Sequence, residues 1–440
     1  MEKKKGIHQL YDDYGEQAAE VIWGNNTTKP RLSRRGFLSQ SALRAMAAVL
    51  GGKIIFGDRL PAGLIPAALA QSEEPFRIEG KDGLIILNDR PINAETPAHL
   101  LDDSITPGKH LFVRNNGHPP PLESIDPANW TLEISGPGID KSATFTIQDL
   151  KEKFEHVSLQ ILIECGGNGR SEFTPPAPGN QWTVGAVGCP EWTGVRMRDV
   201  LEFCGVNDKA VYTAYYGKDT HLSGNPEKEP ISRGVPIKKA LEDESMIAWG
   251  MNGGDIPWLN GYPLRLLTGG YPASTSGKWV NKLLVRDQVH DGAKMTGTSY
   301  RIPKHPVAPG TEVPESDLII IESMPIKSLI TFPESGVETA VGRPFSCRGH
   351  AWTSSLKVKE VHTSIDFGSN WQKAKLEDAP NRFAWQRWTQ DGIRFPEVGY
   401  YEIWAKATDE NGESQPMVLP GWNPKGYLNN ACHRIAVQAI

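Results

Sequence analysis

Residues 157–176 read VSLQILIECGGNGRSEFTPP. Val157, Leu159, Ile161 and Ile163 recur with the period of two that a β-strand imposes, which carries Cys165 onto the same face just where Gly166, Gly167 and Gly169 end the strand. A thiol is thereby expected at a buried strand end. The glycines allow a sharp bend or close backbone approach to a ligand, and Arg170 can set a permanent cation beside whatever the sulfur binds. That combination suits a thiolate on a soft metal next to an anionic ligand. The plain alternative is an inert core thiol, the commoner fate of a lone cysteine.

Working outward, 130–134 reads as a strand, 147–154 as a short helix and 197–204 as another, with Trp182 and Trp192 between them. Mixed α/β packing follows. On the N-terminal side, 76–126 is rich in Pro, Asn and Gly and reads as loops with short strands; it includes FVRNNGH at 112–118 before three prolines. On the C-terminal side, 245–249 and 264–267 read as strands around a turn at 252–255, with Arg265 in the second. Gly277-Lys278 looks like the end of a phosphate-binding loop, but Pro272 stands where a glycine is needed and Trp279 where Ser or Thr is needed, so the nucleotide reading fails. Lys278 can still meet a phosphate as a point charge.

Beyond a proline-rich linker at 302–314 the chain changes to short alternating segments. Their spacing predicts a β-sandwich, with turns at 368–370 and 410–412 and a bulge where the phase shifts between Val358 and Val361. Trp371, Trp385, Trp388, Trp404 and Trp422 are expected as core and interface residues.

The composition, 39% hydrophobic and 22% charged over 440 residues, is that of a soluble protein of two or three domains. Residues 1–70 read as a twin-arginine export signal: SRRGFL at 33–38, a mildly apolar run at 45–52 and Ala68-Leu69-Ala70 for cleavage. Arg44 and Lys53 interrupt that run well short of the ~20 apolar residues a membrane span needs. The mature chain is then expected in the periplasm with no membrane anchor. Ten Lys/Arg and six Asp/Glu fall in the signal, leaving 37 basic against 46 acidic side chains, about −9, which disfavours nucleic acid. The five cysteines form no CxxC or CxxCH, so zinc ribbons and covalent haem are unsupported and buried thiols are expected.

Together ECGGNGR at 164–170, FVRN at 112–115, MNG at 251–253, GYPLR at 261–265, Lys278-Trp279 and WNPKGYLNNACHR at 422–434 resemble the sulfite oxidase family of molybdenum enzymes, in order over nearly the whole mature chain. The resemblance implies an α+β architecture: a mixed α/β molybdopterin-binding domain over 71–305, then an immunoglobulin-like dimerisation domain over 315–440. It implies the molybdenum–molybdopterin cofactor in its oxo form, with Cys165 as the metal's protein ligand. Phe112, Arg114, Asn115, Asn116, Asp219, Asn260, Arg265, Ser276, Gly277 and Lys278 match positions that hold the pterin and its phosphate. Arg114, Arg170, Trp182, Trp249 and Lys425 match positions around the substrate.

Three departures mark this sequence. Trp249 stands in the stretch where sulfite oxidases carry a tyrosine, and Lys425 replaces their third substrate arginine; a lysine cannot grip an oxyanion bidentately. Asn116 and Asn260 stand where eukaryotic members usually have histidines. The first two make the chain resemble more closely the family's sulfane dehydrogenase subunit, which acts on sulfur carried by another protein. The expectation is oxidation of protein-bound sulfane sulfur or of sulfite in a homodimer. Electrons then pass to a c-type cytochrome, free or bound as a haem subunit. Direct oxidation of free sulfite, sulfoxide reduction and a non-catalytic exported binding protein stand as the alternatives.

Overall fold

From Ile78 to Asp126 the chain lays down small antiparallel pieces, as its Pro- and Gly-rich sequence predicts. Strands β1 (Ile85–Asp89), β2 (Ile92–Glu95) and β3 (Val113–Arg114) pair in that order, and β3 carries Arg114. The computed structural model describes residues 77–440, so the export signal expected at 1–70 lies outside the described residues.

Strands β4 (Thr131–Ser135) and β5 (Ala143–Thr146) form a hairpin that feeds helix α1 (Ile147–Lys153). Thr146 and Asp149 cap that helix reciprocally, side chain to backbone in both directions, while Ile147 and Leu150 face inward. β6 (His156–Gln160) and β7 (Ile163–Glu164) come next. The single strand expected from 157 to 164 is split, because Ile161 and Leu162 turn their N–H groups to Pro190 and Phe383. The face survives the break: Ile161, Ile163 and Cys165 share one buried cluster, with Val157 and Leu159 packed against it.

β8 (Val187–Gly188), β9 (Glu191–Arg196), helix α2 (Met197–Phe203), β10 (Tyr212–Gly217), the single-turn helix α3 (Ile237–Ala240), β11 (Ser245–Met251), β12 (Gly254–Asp255), β13 (Arg265–Thr268) and β14 (Val280–Arg286) complete this half. Its larger sheets run β10-β14-β4-β5 and β12-β11-β9-β6, with β13 also on β11. Only β14–β4 is parallel. The turn after β11 is tighter than expected: Asn252 and Gly253 both have positive φ (52° and 77°), the pair that twists a two-residue hairpin correctly, and Gly254 already begins the return strand. β15 (Arg301–Pro303) and β16 (Leu318–Ile320) pair across the proline-rich connection.

The C-terminal half is the sandwich. β17 (Lys327–Phe332), β18 (Val337–Thr339), β19 (Phe345–Trp352), β20 (Val358–Ser364), β21 (Gln372–Lys373), β22 (Lys375–Leu376), β23 (Gln386–Ile393), β24 (Gly399–Asp409) and β25 (His433–Ala439) form sheets β17-β19-β23-β22 and β18-β25-β24-β20-β21. Trp388, Phe395, Ile403 and Val437 fill the space between them. The register slips between Val358 and Glu360, the bulge the sequence phase anticipates.

The two halves share a core. Leu101, Leu162, Val187 and Cys189 pack against Leu329, Trp352, Ala384 and Trp385. Around that seam Arg348 forks onto Asp102 (Nε 3.0 and Nη2 2.6 Å from Oδ2), and Arg382 reaches Glu242 and Glu244. Apolar burial this continuous makes the sandwich part of the same folding unit, Ile78–Ile440.

Candidate active site

Cys165 is 7% exposed, its N–H donating to Ala186 O (2.9 Å) and its C=O accepting from Asn168 N–H (2.9 Å). Arg114 arrives from β3, lines the same cleft as Cys165 and places Nη2 3.5 Å from the Tyr300 hydroxyl. Burial works against the Arg114 charge, yet Tyr300, Cys165 and Tyr427 hold its pKa above the ordinary arginine value. The Tyr300 hydroxyl donates to Asn116 Oδ1 (3.4 Å), while its ring stacks on Tyr427 (5.7 Å, 14°) and lies under the Arg233 guanidinium at 4.6 Å. Tyr300 holds φ 50°, a left-handed backbone that a tyrosine adopts only when its surroundings fix it.

A second group of cations converges deeper in the same cleft. Arg265 projects from β13, donates Nη1 to Asn260 O (2.6 Å) and lies 5.2 Å from the Trp192 ring; its Nε has no partner among the described residues. Burial pushes its pKa down to about 9. Lys278 donates to Asn115 Oδ1 and to Leu259 O (2.8 Å), and burial followed by the Arg265 charge holds its pKa well below the usual lysine range. Lys81 donates to Gly108 O, Leu111 O and Asn260 Oδ1, and burial with Arg265 lowers it to about 7. Asp219 faces them; burial raises its carboxyl to about 6 against the pull of Lys278. Ser276 lines the cleft and accepts Thr268 N–H (3.1 Å), and Gly277 is required because a Cβ there would stand 2.5 Å from the Tyr215 ring.

Lys81, Arg114, Arg265 and Lys278 meet at a cleft whose lining, among the described residues, holds one carboxylate, Asp219; burial lowers Lys81, Arg265 and Lys278, and with the unused Arg265 Nε–H this leaves room for an anion that restores their charge. The donor set at the other end is a single thiol. Among the described residues no group of three or more His, Cys, Asp or Glu is arranged to hold a bare ion. The residues therefore fit an anionic cofactor that carries its own metal and takes one thiolate from the protein.

Phe112, Arg114, Asn116, Cys165, Asp219, Asn260, Arg265, Ser276 and Lys278 line one cleft, with Asn115 and Gly277 supporting it from behind. Trp182 is fully buried beside the cleft, edge-on to Phe112 (6.4 Å). Arg170 stands one ring back, 5.2 Å from the Tyr427 centroid, with Nε and Nη1 donating to Lys425 O and Asn180 O (both 2.8 Å). Lys425 enters through that carbonyl rather than by lining the cleft.

Trp249 is a correction. Strand alternation in β11 sends Met246 and Ala248 to the cluster of Cys165, and Ile247 and Trp249 to the opposite one. Its indole packs on His156 (5.1 Å) and under Lys151 (5.5 Å), away from the site. A phenol does line the cleft, that of Tyr300. Sequence reading also missed Lys81, Tyr215, Tyr427 and Arg233, none of which lies in a recognisable motif except Tyr427, inside the 422–434 segment.

Residues 118–294 match the oxidoreductase molybdopterin binding domain and 319–440 the Mo-co oxidoreductase dimerisation domain. The chain is 31% identical over 414 residues to the mitochondrial sulfite oxidase of Drosophila melanogaster, covering 83% of this chain and 69% of that one. It is 29% identical over 385 residues to the sulfite oxidase of Gallus gallus, covering 84% and 81%. In fold it is similar to the sulfane dehydrogenase SoxCD from Paracoccus pantotrophus, with a TM-score of 0.65, 24% identity and coverage of 87% of this chain and 92% of that one.

Proposed function

Since this chain belongs to the sulfite oxidase family, molybdenum-cofactor oxidoreductases that act on sulfur groups, we propose that its substrate is free sulfite, oxidised at a molybdenum held by Cys165. The observation that carries the choice of substrate is the Tyr300 hydroxyl beside Arg114 at the Cys165 thiol, an oxyanion-sized arrangement of one hydroxyl and one guanidinium. When bound, the cofactor supplies a two-electron acceptor and the oxygen transferred to sulfur. Sulfite and water give sulfate, two electrons and two protons.

The chain's own residues do the rest. Lys81, Arg265 and Lys278 neutralise the cofactor's phosphate, with Asn115 and Asn260 fixing the two lysines in place. Arg114 would balance the thiolate and the substrate anion, while Tyr300 would donate a hydrogen bond to a substrate oxygen and is held by its stack on Tyr427. Arg170 acts from behind that stack, adding positive potential and anchoring the Lys425 segment. Electrons leave singly to a c-type cytochrome, and the working particle is a homodimer through 315–440, with 71–305 as the catalytic domain. Export by the twin-arginine route to the periplasm completes the reading.

Lys425 in place of an arginine favours a second reading, oxidation of sulfane sulfur on a carrier protein. Turnover with cytochrome c on free sulfite and on a sulfur-loaded carrier, using protein from a cofactor-competent host, separates the two. Turnover on the carrier alone would refute the sulfite assignment. Native protein without molybdenum would sink both.

A further inference from the structure

The loop that bears Cys165 is held from the sandwich. Lys327 and Trp352 stand opposite each other in register on β17 and β19, and both donate to Glu164, the residue before the cysteine. Lys327 Nζ lies 2.6 Å from Oε1 and Trp352 Nε1 2.9 Å from Oε2. Glu164 is fully buried, Lys327 is 7% exposed and Trp352 is 3% exposed. Asn168 completes the set: Nδ2 donates to Glu164 Oε1 (2.9 Å) and to Val184 O (3.2 Å), and Oδ1 accepts Ala186 N–H (3.1 Å). Ala186 is the residue whose carbonyl receives Cys165 N–H. Two further bonds come from the connection between β24 and β25, Leu428 N–H to Gly166 O (2.9 Å) and Asn429 Nδ2 to Gly169 O (3.0 Å).

A carboxylate taken wholly out of water survives only if each oxygen is filled, and here every donor but Asn168 belongs to the sandwich. Apolar residues at both 164 and 327 would pack this seam without that desolvation. The ion pair therefore contributes geometry more than stability.

We propose that Lys327 and Trp352 are positioning residues for the metal, fixing through Glu164 and Asn168 where the Cys165 sulfur stands. The dimerisation half is thus a structural part of the metal centre as well as an interface. This rests on Cys165 being the metal's ligand.

The test compares the molybdenum-loaded enzyme with its Trp352→Phe, Lys327→Met and Glu164→Gln/Lys327→Met variants, and with Cys165→Ser. Trp352→Phe keeps an aromatic ring in the seam and removes one donor; the double variant removes the charge pair without leaving a lone buried ion. Folding is checked by near-ultraviolet circular dichroism, and the readouts are the thiolate-to-metal absorption band, the Mo(V) paramagnetic resonance spectrum and kcat against KM. Folded, metal-replete Trp352→Phe and the double variant should show a displaced band and altered resonance, with kcat down about tenfold. If both variants keep the wild-type band and resonance while Cys165→Ser loses the band, the positioning role is overturned and the ligand assignment stands. If Cys165→Ser retains the band, both fall.

Discussion

Arg265→Met should move the cofactor-free and cofactor-loaded proteins in opposite directions. At pH 7 the guanidinium is charged in both folded and unfolded chains, but folding depresses its pKa from 12.5 to about 9, so the charged form carries the whole difference as a penalty. At 1.36 kcal/mol per pH unit that is about 4–5 kcal/mol against the cofactor-free fold. Opposing this are the lost hydrogen bond to the buried Asn260 carbonyl, about 1–3 kcal/mol, and the lost contact with Trp192, about 1 kcal/mol. Methionine keeps most of the aliphatic volume, so little cavity cost is added. The balance leaves the cofactor-free variant at least as stable as wild type, by up to about 3 kcal/mol.

The loaded protein should lose instead, because the same guanidinium then faces an anion and its desolvation is offset. The assay is equilibrium urea unfolding of wild type and variant made in a host unable to synthesise the cofactor, beside metal and pterin content from a competent host. A cofactor-free variant less stable than wild type by 1 kcal/mol or more would show that the cation surplus is not a burden to the fold. Full molybdenum content in the variant would refute its role in cofactor binding.

Tyr300→Phe removes the hydroxyl that meets Arg114 and Asn116 but keeps the stack on Tyr427, and kcat/KM for sulfite should fall by about 10- to 100-fold with metal content unchanged. Trp249→Phe should leave kcat/KM within about twofold, since its ring packs with His156, Lys151 and the core cluster on the far face of β11 rather than in the cleft. Titration with a thiol reagent should find essentially no reactive sulfur in the native protein and five in urea, because all five cysteines are buried and unpaired and burial pushes Cys189 and Cys347 up to about 12. His350, fully buried against Trp385 with its pKa lowered to about 4 by burial and Arg387, stays neutral in the fold while the unfolded chain protonates near 6.5. Its share of stability, up to about 3 kcal/mol, is complete above that value and drains away between roughly pH 6.5 and 4; His350→Gln should flatten that part of the pH–stability curve.

Local rules made much of the fold legible. Alternation put Cys165 on the buried face of its strand, the short helix expected at 147–154 is α1, and the slipped phase at Val358 marked the bulge. Where the reading of Trp249 failed, the same alternation would have corrected it, for a side chain on the face of Ile247 cannot also be on the face of Ala248. Tyr300 and Lys81 were beyond reach for another reason: each enters the site from a loop with no periodicity, Tyr300 through a left-handed backbone that the residue type itself disfavours.

The charge of the site was hidden by a deeper cause. In an ordinary core, a buried cation is accompanied in the sequence by the acid that neutralises it, as Lys327 is by Glu164. Lys81, Arg114, Arg265 and Lys278 come from separate segments, and among the described residues Asp219 is the one acid that lines their cleft. Sequence reasoning that looks for pairs passes over them one at a time. Only the fold brings the four together, and their unmatched charge then specifies the ligand: an anion of more than one charge, fixed at one end by cations and at the other by a single thiolate whose position is set from the sandwich.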